Sequence, residues 1–156
     1  MCDKTLMIAH FWDEVKIGQE FRKNPHHVTL IPWFKCKSLD IFKEDLEKLL
    51  KHTKPIKYEI GPVKYLGKKK NIKASLINEN KKLQNLHKKL LKLAKKYDSD
   101  LDDKYCGNTY KPHIAHKNKN HPKKGMKNTI DEIFIIEEID FKSKLRKVIG
   151  KIDIWG

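Results

Sequence analysis

The tetrapeptide His27-Val28-Thr29-Leu30 opens a stretch that is rich in β-branched and apolar residues and continues to Ile31. This composition favours a β-strand, and we expect the strand to end at Pro32. Side chains of a strand alternate between its faces, so His27 and Thr29 should share one face, about 7 Å apart. A proton-transferring imidazole then lies beside a hydroxyl that can donate a hydrogen bond to a growing negative charge.

A second histidine, His113, occurs much later, in the segment Tyr110-Lys111-Pro112-His113-Ile114-Ala115-His116, which predicts another short strand. Two imidazoles that face one site can act as a complementary acid and base. Each half of the chain also has strands and one long helix, which indicates approximate twofold symmetry. Outside the two histidine segments, however, the halves do not align as a repeat.

The rest of the chain predicts an α+β fold in one domain of 156 residues. Residues 38–51 and 81–96 have apolar residues at spacings of three and four, which indicates two long amphipathic helices. A short helix is expected within residues 14–21, and an exposed loop over residues 117–128. Further strands are predicted over residues 6–9, 56–63, 72–77, 130–141 and 148–155, with a hairpin turn at residues 67–71.

These histidine segments resemble those of the two-histidine (2H) phosphoesterases, which include RNA 2′,3′-cyclic phosphodiesterases and 2′,5′-RNA ligase-like proteins. Members of that family carry two H-x-[T/S]-hydrophobic tetrads on strands. The tetrad that starts at His27 matches in full, and the run from Tyr110 to Ile114 is similar to the approach to the second tetrad. The order of helices is also similar, so the resemblance extends over nearly the whole chain. It implies a bilobal, pseudo-twofold fold with antiparallel sheets, a cleft between the lobes, and no metal or cofactor.

By this resemblance, His27 and His113 are the catalytic acid and base, in an order that stays open, and Thr29 binds the phosphate. A bell-shaped dependence of rate on pH is expected. The sequence departs from the family at Ala115, where a second Thr or Ser is usual. The loss of one such hydrogen-bond donor costs roughly 10²-fold in rate.

Other residues are candidates for binding the substrate. Lys117, if it continues the strand face of His113, and Tyr110 can each compensate for Ala115, and Lys111 lies beside the same histidine. Trp33 can stack on a base or pack in the core. A metal site is also conceivable at His113, His116 and His121, with Cys106 nearby. It is disfavoured, because the spacing H-x-x-H places the rings of His113 and His116 on opposite faces of a strand.

The composition is strongly basic: 35 Lys and Arg residues against 20 Asp and Glu residues give a net charge of +15. Only Arg22 and Arg146 are arginines. The charge favours anionic partners such as RNA, an oligonucleotide or a cyclic nucleotide, although a lysine-rich surface also occurs without such a role.

Cys2, Cys36 and Cys106 form no disulfide or zinc pattern, which favours a reducing cytoplasm. We expect a monomer with no membrane segment.

Two classes of function remain open. The first is an enzyme that hydrolyses a 2′,3′-cyclic phosphate or a 2′,5′-linked phosphodiester, with reverse ligation as an option. The second is a catalytically impaired module that binds an RNA end. Hydrolysis of small cyclic or oligonucleotide signals is a third alternative, since the same chemistry acts on them.

Overall fold

The computed structural model describes residues 3–154, so Cys2 and the predicted strand end at Trp155 lie outside the described residues. In chain order the elements are β1 (Lys4–Phe11), β2 (Glu20–Phe21), β3 (His27–Cys36), α1 (Leu39–Leu50), β4 (Ile56–Leu66), β5 (Ile72–Ile77), α2 (Lys81–Tyr97), a 3-10 turn (Gly107–Thr109), β6 (His113–Ala115), β7 (Lys127–Ile130), β8 (Glu132–Asp140) and β9 (Leu145–Asp153). Both long helices and the hairpin between β4 and β5 confirm the α+β prediction.

The strands hydrogen-bond in the order β2-β9-β8-β1-β3-β6-β5-β4-β7, and every pairing is antiparallel. The three-residue strand β6 lies between β3 and β5 and therefore joins two groups of strands, one formed by β2, β9, β8, β1 and β3 and the other by β5, β4 and β7. No helix within residues 3–154 has the length and apolar character needed to cross a bilayer.

Both helices pack on the same main core. Each begins at a capping side chain: the Ser38 hydroxyl accepts a hydrogen bond from the backbone N–H of Ile41, and the Asn80 amide oxygen accepts one from that of Leu83. The buried side chains of the helices are Phe42, Leu46, Leu50, Leu83, Leu86, His87, Leu90, Leu91, Leu93 and Ala94. Burying a large apolar side chain contributes about 1.5–3 kcal/mol, so this packing fixes β3, on which α2 rests.

A smaller apolar cluster lies on the other face of the sheet. It consists of Met7, Ala9, Phe11, Phe134, Ile136 and Val148. In the described part of the chain it contains no residue of either helix. Leu6 and Ile8 belong to the main core while Met7 and Ala9 belong to this cluster, as the alternation of side chains on β1 requires. The sheet therefore has one face covered by helices and one face without them.

The prediction of a short helix within residues 14–21 is wrong. The segment forms turns and then the two-residue strand β2, which pairs with β9. Gly18 has a φ of 91°, outside the helical region, and its N–H donates to the Val148 carbonyl at 2.8 Å. The Val148 N–H donates in turn to the Gln19 carbonyl at 2.9 Å. Pairing with β9 therefore satisfies the backbone groups that a helix would have satisfied internally.

The prediction that β3 ends at Pro32 is also wrong, because the strand continues to Cys36. On its β1 side, the register shifts between the pairs Leu6↔Phe34 and Ile8↔Ile31, so β3 has an extra residue in a bulge at the proline. On its other side β3 pairs with β6 only at Val28. Pro32 therefore lies where the ladder is interrupted, and its missing N–H removes no regular hydrogen bond.

Two boundaries in the C-terminal half also differ from the prediction. β6 is confined to His113–Ala115, so Lys117 lies beyond the strand and not on its face as expected. Part of the predicted loop forms β7, Lys127–Ile130, which pairs with β4. Asp131 separates it from β8, so one predicted strand is two.

Candidate active site

The two histidine strands are neighbours in the sheet, and their register brings the key side chains together. Val28 pairs with Ile114, and both side chains are buried in the main core. One residue further in each direction, this antiparallel register places Thr29 opposite His113 and His27 opposite Ala115. Because their faces alternate with those of Val28 and Ile114, these side chains project from the face without helices. The two imidazoles are then diagonal neighbours, about 7–8 Å apart at the backbone.

Both rings are held in the same way. Nδ1 of His27 lies 2.8 Å from the Pro25 carbonyl oxygen, and Nδ1 of His113 lies 2.8 Å from the Lys111 carbonyl oxygen. A carbonyl oxygen only accepts, so Nδ1 carries a proton in each ring. Nε2 is left as the atom available to a ligand, as a base when the ring is neutral and as an acid when it is charged.

His27 is held in its neutral form. Its ring packs against Phe11, with ring centroids 5.8 Å apart. Burial lowers the pKa of His27 to about 4, while the Pro25 carbonyl acts in the opposite direction and the charges of Lys117, His113 and Arg146 lower it further. At neutral pH the Nε2 atom of His27 therefore has a free lone pair. This ring suits the role of a base.

The hydroxyl beside His113 is available to a ligand, whereas its symmetry counterpart is absent. Thr29 Oγ1 has only a weak contact, to the sulfur of Met7 at 3.9 Å. At the equivalent place in the second segment, Ala115 presents a methyl group next to His27. The four positions at the centre of the site therefore hold two imidazoles, one hydroxyl and one methyl.

A family model described as the 2'-5' RNA ligase superfamily matches residues 5–146, which include both histidine segments. The chain belongs to this superfamily. No curated protein sequence matches the chain.

Solved structures share the fold of this superfamily member over its full length. A structure of Escherichia coli LigT complexed with NADP+ has a TM-score of 0.63 at 11% identity and covers 100% of both chains. A structure of a phosphoesterase has a TM-score of 0.63 at 11% identity, with 99% of each chain covered. TT0787 of Thermus thermophilus has a TM-score of 0.60 at 15% identity and covers 97% of this chain and 98% of its own. At such identities the likeness shows the fold.

Tyr110 does not lie on the face of the histidines in this superfamily member. Its side chain is buried in the main core and stacks on His87, with centroids 3.7 Å apart. Its hydroxyl donates to the Thr29 carbonyl oxygen at 2.8 Å. We therefore assign Tyr110 a supporting role behind β3 in place of the predicted contact with substrate.

The other predicted binding residues have exposed or half-buried side chains. Lys111 is exposed and holds the His113 ring through its carbonyl. Trp33 is half-buried against the smaller apolar cluster. Lys117 is half-buried, and its charge acts on His27.

His26, the neighbour of His27, is fully buried and connects three segments. Its Nδ1 lies 2.9 Å from an Asp13 carboxylate oxygen, and the same oxygen accepts from the His26 backbone N–H at 2.7 Å. Its Nε2 accepts from the Lys117 backbone N–H at 3.1 Å, so Nδ1 carries the proton. This ring therefore fixes Lys117 beside the start of β3.

The histidines of the metal alternative point apart, as the spacing predicts. Ser75 pairs with Ile114, so it lies on the face opposite to His113, and its hydroxyl lies 2.7 Å from Nε2 of His116. His121 stacks on His116 at 3.7 Å. Within residues 3–154 there is no group of three or more His, Cys, Asp or Glu residues arranged to hold a metal ion.

Sequence reasoning missed Arg146, which comes from β9. Its Nη1 donates to the Asn24 side-chain oxygen at 2.8 Å, and its guanidinium lies over the Trp33 ring at 5.3 Å from the centroid. The available signal was its rarity, since the chain has two arginines among 35 basic residues. Nothing in its local sequence connects a residue of a late strand to the first histidine segment.

Proposed function

We propose that this protein is a phosphodiesterase that acts on RNA-like 2′,3′-cyclic phosphates or 2′,5′-linked phosphodiesters, without a metal ion. The observation that carries the proposal is the register about Val28 and Ile114, which gives His27, Thr29 and His113 one common face. Membership of the 2'-5' RNA ligase superfamily supports it. Solved relatives with this fold include E. coli LigT complexed with NADP+, 3'-AMP and ATP, which supports a nucleotide ligand.

In the proposed hydrolysis, His27 acts as the base and His113 as the acid. Nε2 of His27 accepts a proton from water as the water oxygen forms a bond to phosphorus. The bond from phosphorus to the 2′ or 3′ oxygen breaks, and that oxygen takes a proton from Nε2 of His113. A cyclic phosphate and water thus give a phosphomonoester and a free hydroxyl. His113 takes the acid role as the second ring on this face, with its Nε2 atom left for the ligand.

A 2′,5′ linkage follows the same assignment. His27 takes the proton of the neighbouring 3′ hydroxyl, whose oxygen attacks phosphorus, and the departing 5′ oxygen takes its proton from His113. Thr29 donates a hydrogen bond to a non-bridging oxygen, where negative charge grows in the transition state. Run in reverse, the same two proton transfers join the ends, so the ligation direction belongs to the same chemistry.

The proposal extends to the protein as a whole. We place the substrate in a cleft between two pseudo-twofold halves, each of which supplies one histidine strand. We propose a cytoplasmic, single-domain monomer, because all the site residues come from one chain and Cys36 and Cys106 are free thiols. The net charge of +15 favours capture of a polyanionic substrate.

A turnover assay in EDTA tests the proposal. Nucleoside 2′,3′-cyclic phosphates and oligonucleotides with a single 2′,5′ linkage are incubated with the protein and with a double variant, His27→Ala and His113→Ala. We expect product with the unchanged chain and with the control, and little or none with the double variant. The single variant His52→Ala is the matched control, since this histidine is exposed and lies outside the site.

Ala115 favours one alternative, a catalytically impaired module that binds RNA ends. The same assay separates the two. Binding of a 2′,3′-cyclic phosphate end with no product from any of the substrates would favour the binding module and contradict the enzyme.

A further inference from the structure

Basic side chains from separate parts of the chain converge on the proposed site. They are Lys23, in the segment that leads to β3; Lys117, just after β6; and Arg146, on β9. The charges of Lys23 and Arg146 both act on Lys117, and those of Lys117 and Arg146 act on His27. Within residues 3–154, no carboxylate forms an ion pair with any of them. Such a group repels itself until an anion enters.

Arg146 is oriented towards this site by neutral partners. The Asn24 oxygen and the Trp33 ring hold the guanidinium in one plane. Its Nε is buried and has no hydrogen-bond partner within the described residues. Glu138 is its cross-strand neighbour, yet the two form no ion pair. The guanidinium therefore keeps donors that protein groups do not use, on the same face as the histidines.

Phe21 and Phe11 connect Arg146 to His27 on that face. Phe21 pairs with Arg146 in the β2–β9 ladder, and its ring lies 6.3 Å from that of Phe11, which packs on His27. Trp33 lies on β3, the strand that carries Thr29. The guanidinium over Trp33 therefore lies over the strand that carries Thr29, on the face without helices.

We propose that Arg146, assisted by Lys117, binds the non-bridging oxygens of the reacting phosphoryl group and takes over the role of the hydroxyl that Ala115 lacks. This inference rests on the proposed function. Arg146 is then a catalytic residue, and Asn24 and Trp33 are positioning residues that orient it. A planar guanidinium can donate two parallel hydrogen bonds to one phosphate, which a lysine cannot. The site thereby replaces one neutral donor by a charged one.

The test is binding of inorganic phosphate, measured by calorimetry and by the phosphate-dependent rise in melting temperature at constant ionic strength. The variants are Arg146→Met, Arg146→Lys and, as the matched control, Arg22→Met, since Arg22 is the other arginine and is exposed. We expect Arg146→Met to weaken binding about 10- to 100-fold. Arg146→Lys should fall between it and the unchanged chain, and Arg22→Met should bind normally. The melting temperature of Arg146→Met without phosphate serves as its own baseline, because the variant loses the Asn24 hydrogen bond and the Trp33 contact as well as the repulsion between the cations.

The possible results separate phosphate binding by Arg146 from the proposed enzyme activity. If Arg146→Met binds phosphate as tightly as Arg22→Met, or if the unchanged chain binds none, the inference is wrong. If phosphate binding depends on Arg146 but no cyclic phosphate or 2′,5′ linkage is cleaved, the anion site stands and the proposed enzyme does not. If cleavage occurs, Arg146→Met should lower kcat/KM about 10²- to 10³-fold, and unchanged kinetics would overturn its catalytic role.

Discussion

The two histidine segments have the same backbone arrangement but different chemistry. In each, a carbonyl two residues earlier holds the ring through Nδ1, at Pro25 and at Lys111. The first segment adds the hydroxyl of Thr29, whereas the second has the methyl group of Ala115. The geometry of a site can thus persist on both strands while one of its two hydrogen-bond donors is lost. The following predictions test how far the two halves are equivalent.

The largest effect is expected from removing either ring. His27→Ala and His113→Ala should each lower kcat/KM about 10²- to 10⁴-fold, because each removes one of the two proton transfers. The double variant should be little worse than the weaker single one, since the two groups act as a unit. Steady-state kinetics on a 2′,3′-cyclic nucleotide measure all of these. Losses that simply multiply would indicate that the rings act independently.

A smaller effect is expected from the one remaining hydroxyl. Thr29→Val keeps the shape of the side chain and removes its donor, and it should lower kcat about 10²-fold. Because Thr29 is half-buried, the substitution should change the stability of the fold only slightly. Thr29→Ser is the control and should retain most of the activity. A loss that appears in KM alone would show that the hydroxyl binds substrate and transition state equally.

Restoring the lost hydroxyl should have an effect in the opposite direction. Ala115→Thr should raise kcat/KM by up to about tenfold, less than the full value of a donor because Arg146 already binds the phosphate. In the Arg146→Met background, Ala115→Thr should raise kcat/KM by a larger factor. A double-mutant cycle compares the factor by which Ala115→Thr raises kcat/KM with and without Arg146. Equal factors would show that the hydroxyl and Arg146 act independently on the transition state.

The smallest effect, a shift rather than a loss, concerns pH. Because burial lowers the pKa of His27 to about 4, the base is lost only as the pH falls through that value. We expect kcat/KM to hold down to about pH 5 and then to decline, whereas an unperturbed histidine would lose its basic form near pH 6.5. A profile of kcat/KM from pH 4 to pH 8 in buffers of constant ionic strength distinguishes the two cases. An acid limb centred near 6.5 would contradict the assignment of His27 as the base.

The sequence predicted the elements whose residues carry a local signal. The spacing of leucines predicted both long helices, with Ser38 as a cap, and the turn composition predicted the hairpin of β4 and β5. The segment around Gly18 was assigned to a helix because nothing local shows that β9 would pair with it. A strand interrupted by proline at residue 32 likewise needs the bulge opposite β1, which is a property of the partner strand.

Of the candidate site, the sequence predicted the residues that lie within the two segments and missed those that tertiary structure brings in. Tyr110 and Lys111 were grouped with His113 by proximity in the chain, yet the Tyr110 hydroxyl bonds behind β3. Arg146 was missed because its place depends on the segment around Asn24 and on the ring of Trp33. Such contacts between distant segments leave no periodic signal.

In the proposed mechanism, Nε2 of His27 and Nε2 of His113 converge on one phosphorus. A crystal structure of the protein with a nucleoside 3′-monophosphate tests it most directly. We predict one phosphate on the face without helices, with both Nε2 atoms within about 3 Å of its oxygens. The Thr29 hydroxyl should donate a hydrogen bond to another oxygen of the same phosphate. A phosphate that touches only one of the two rings, or that binds elsewhere on the basic surface, would contradict the account.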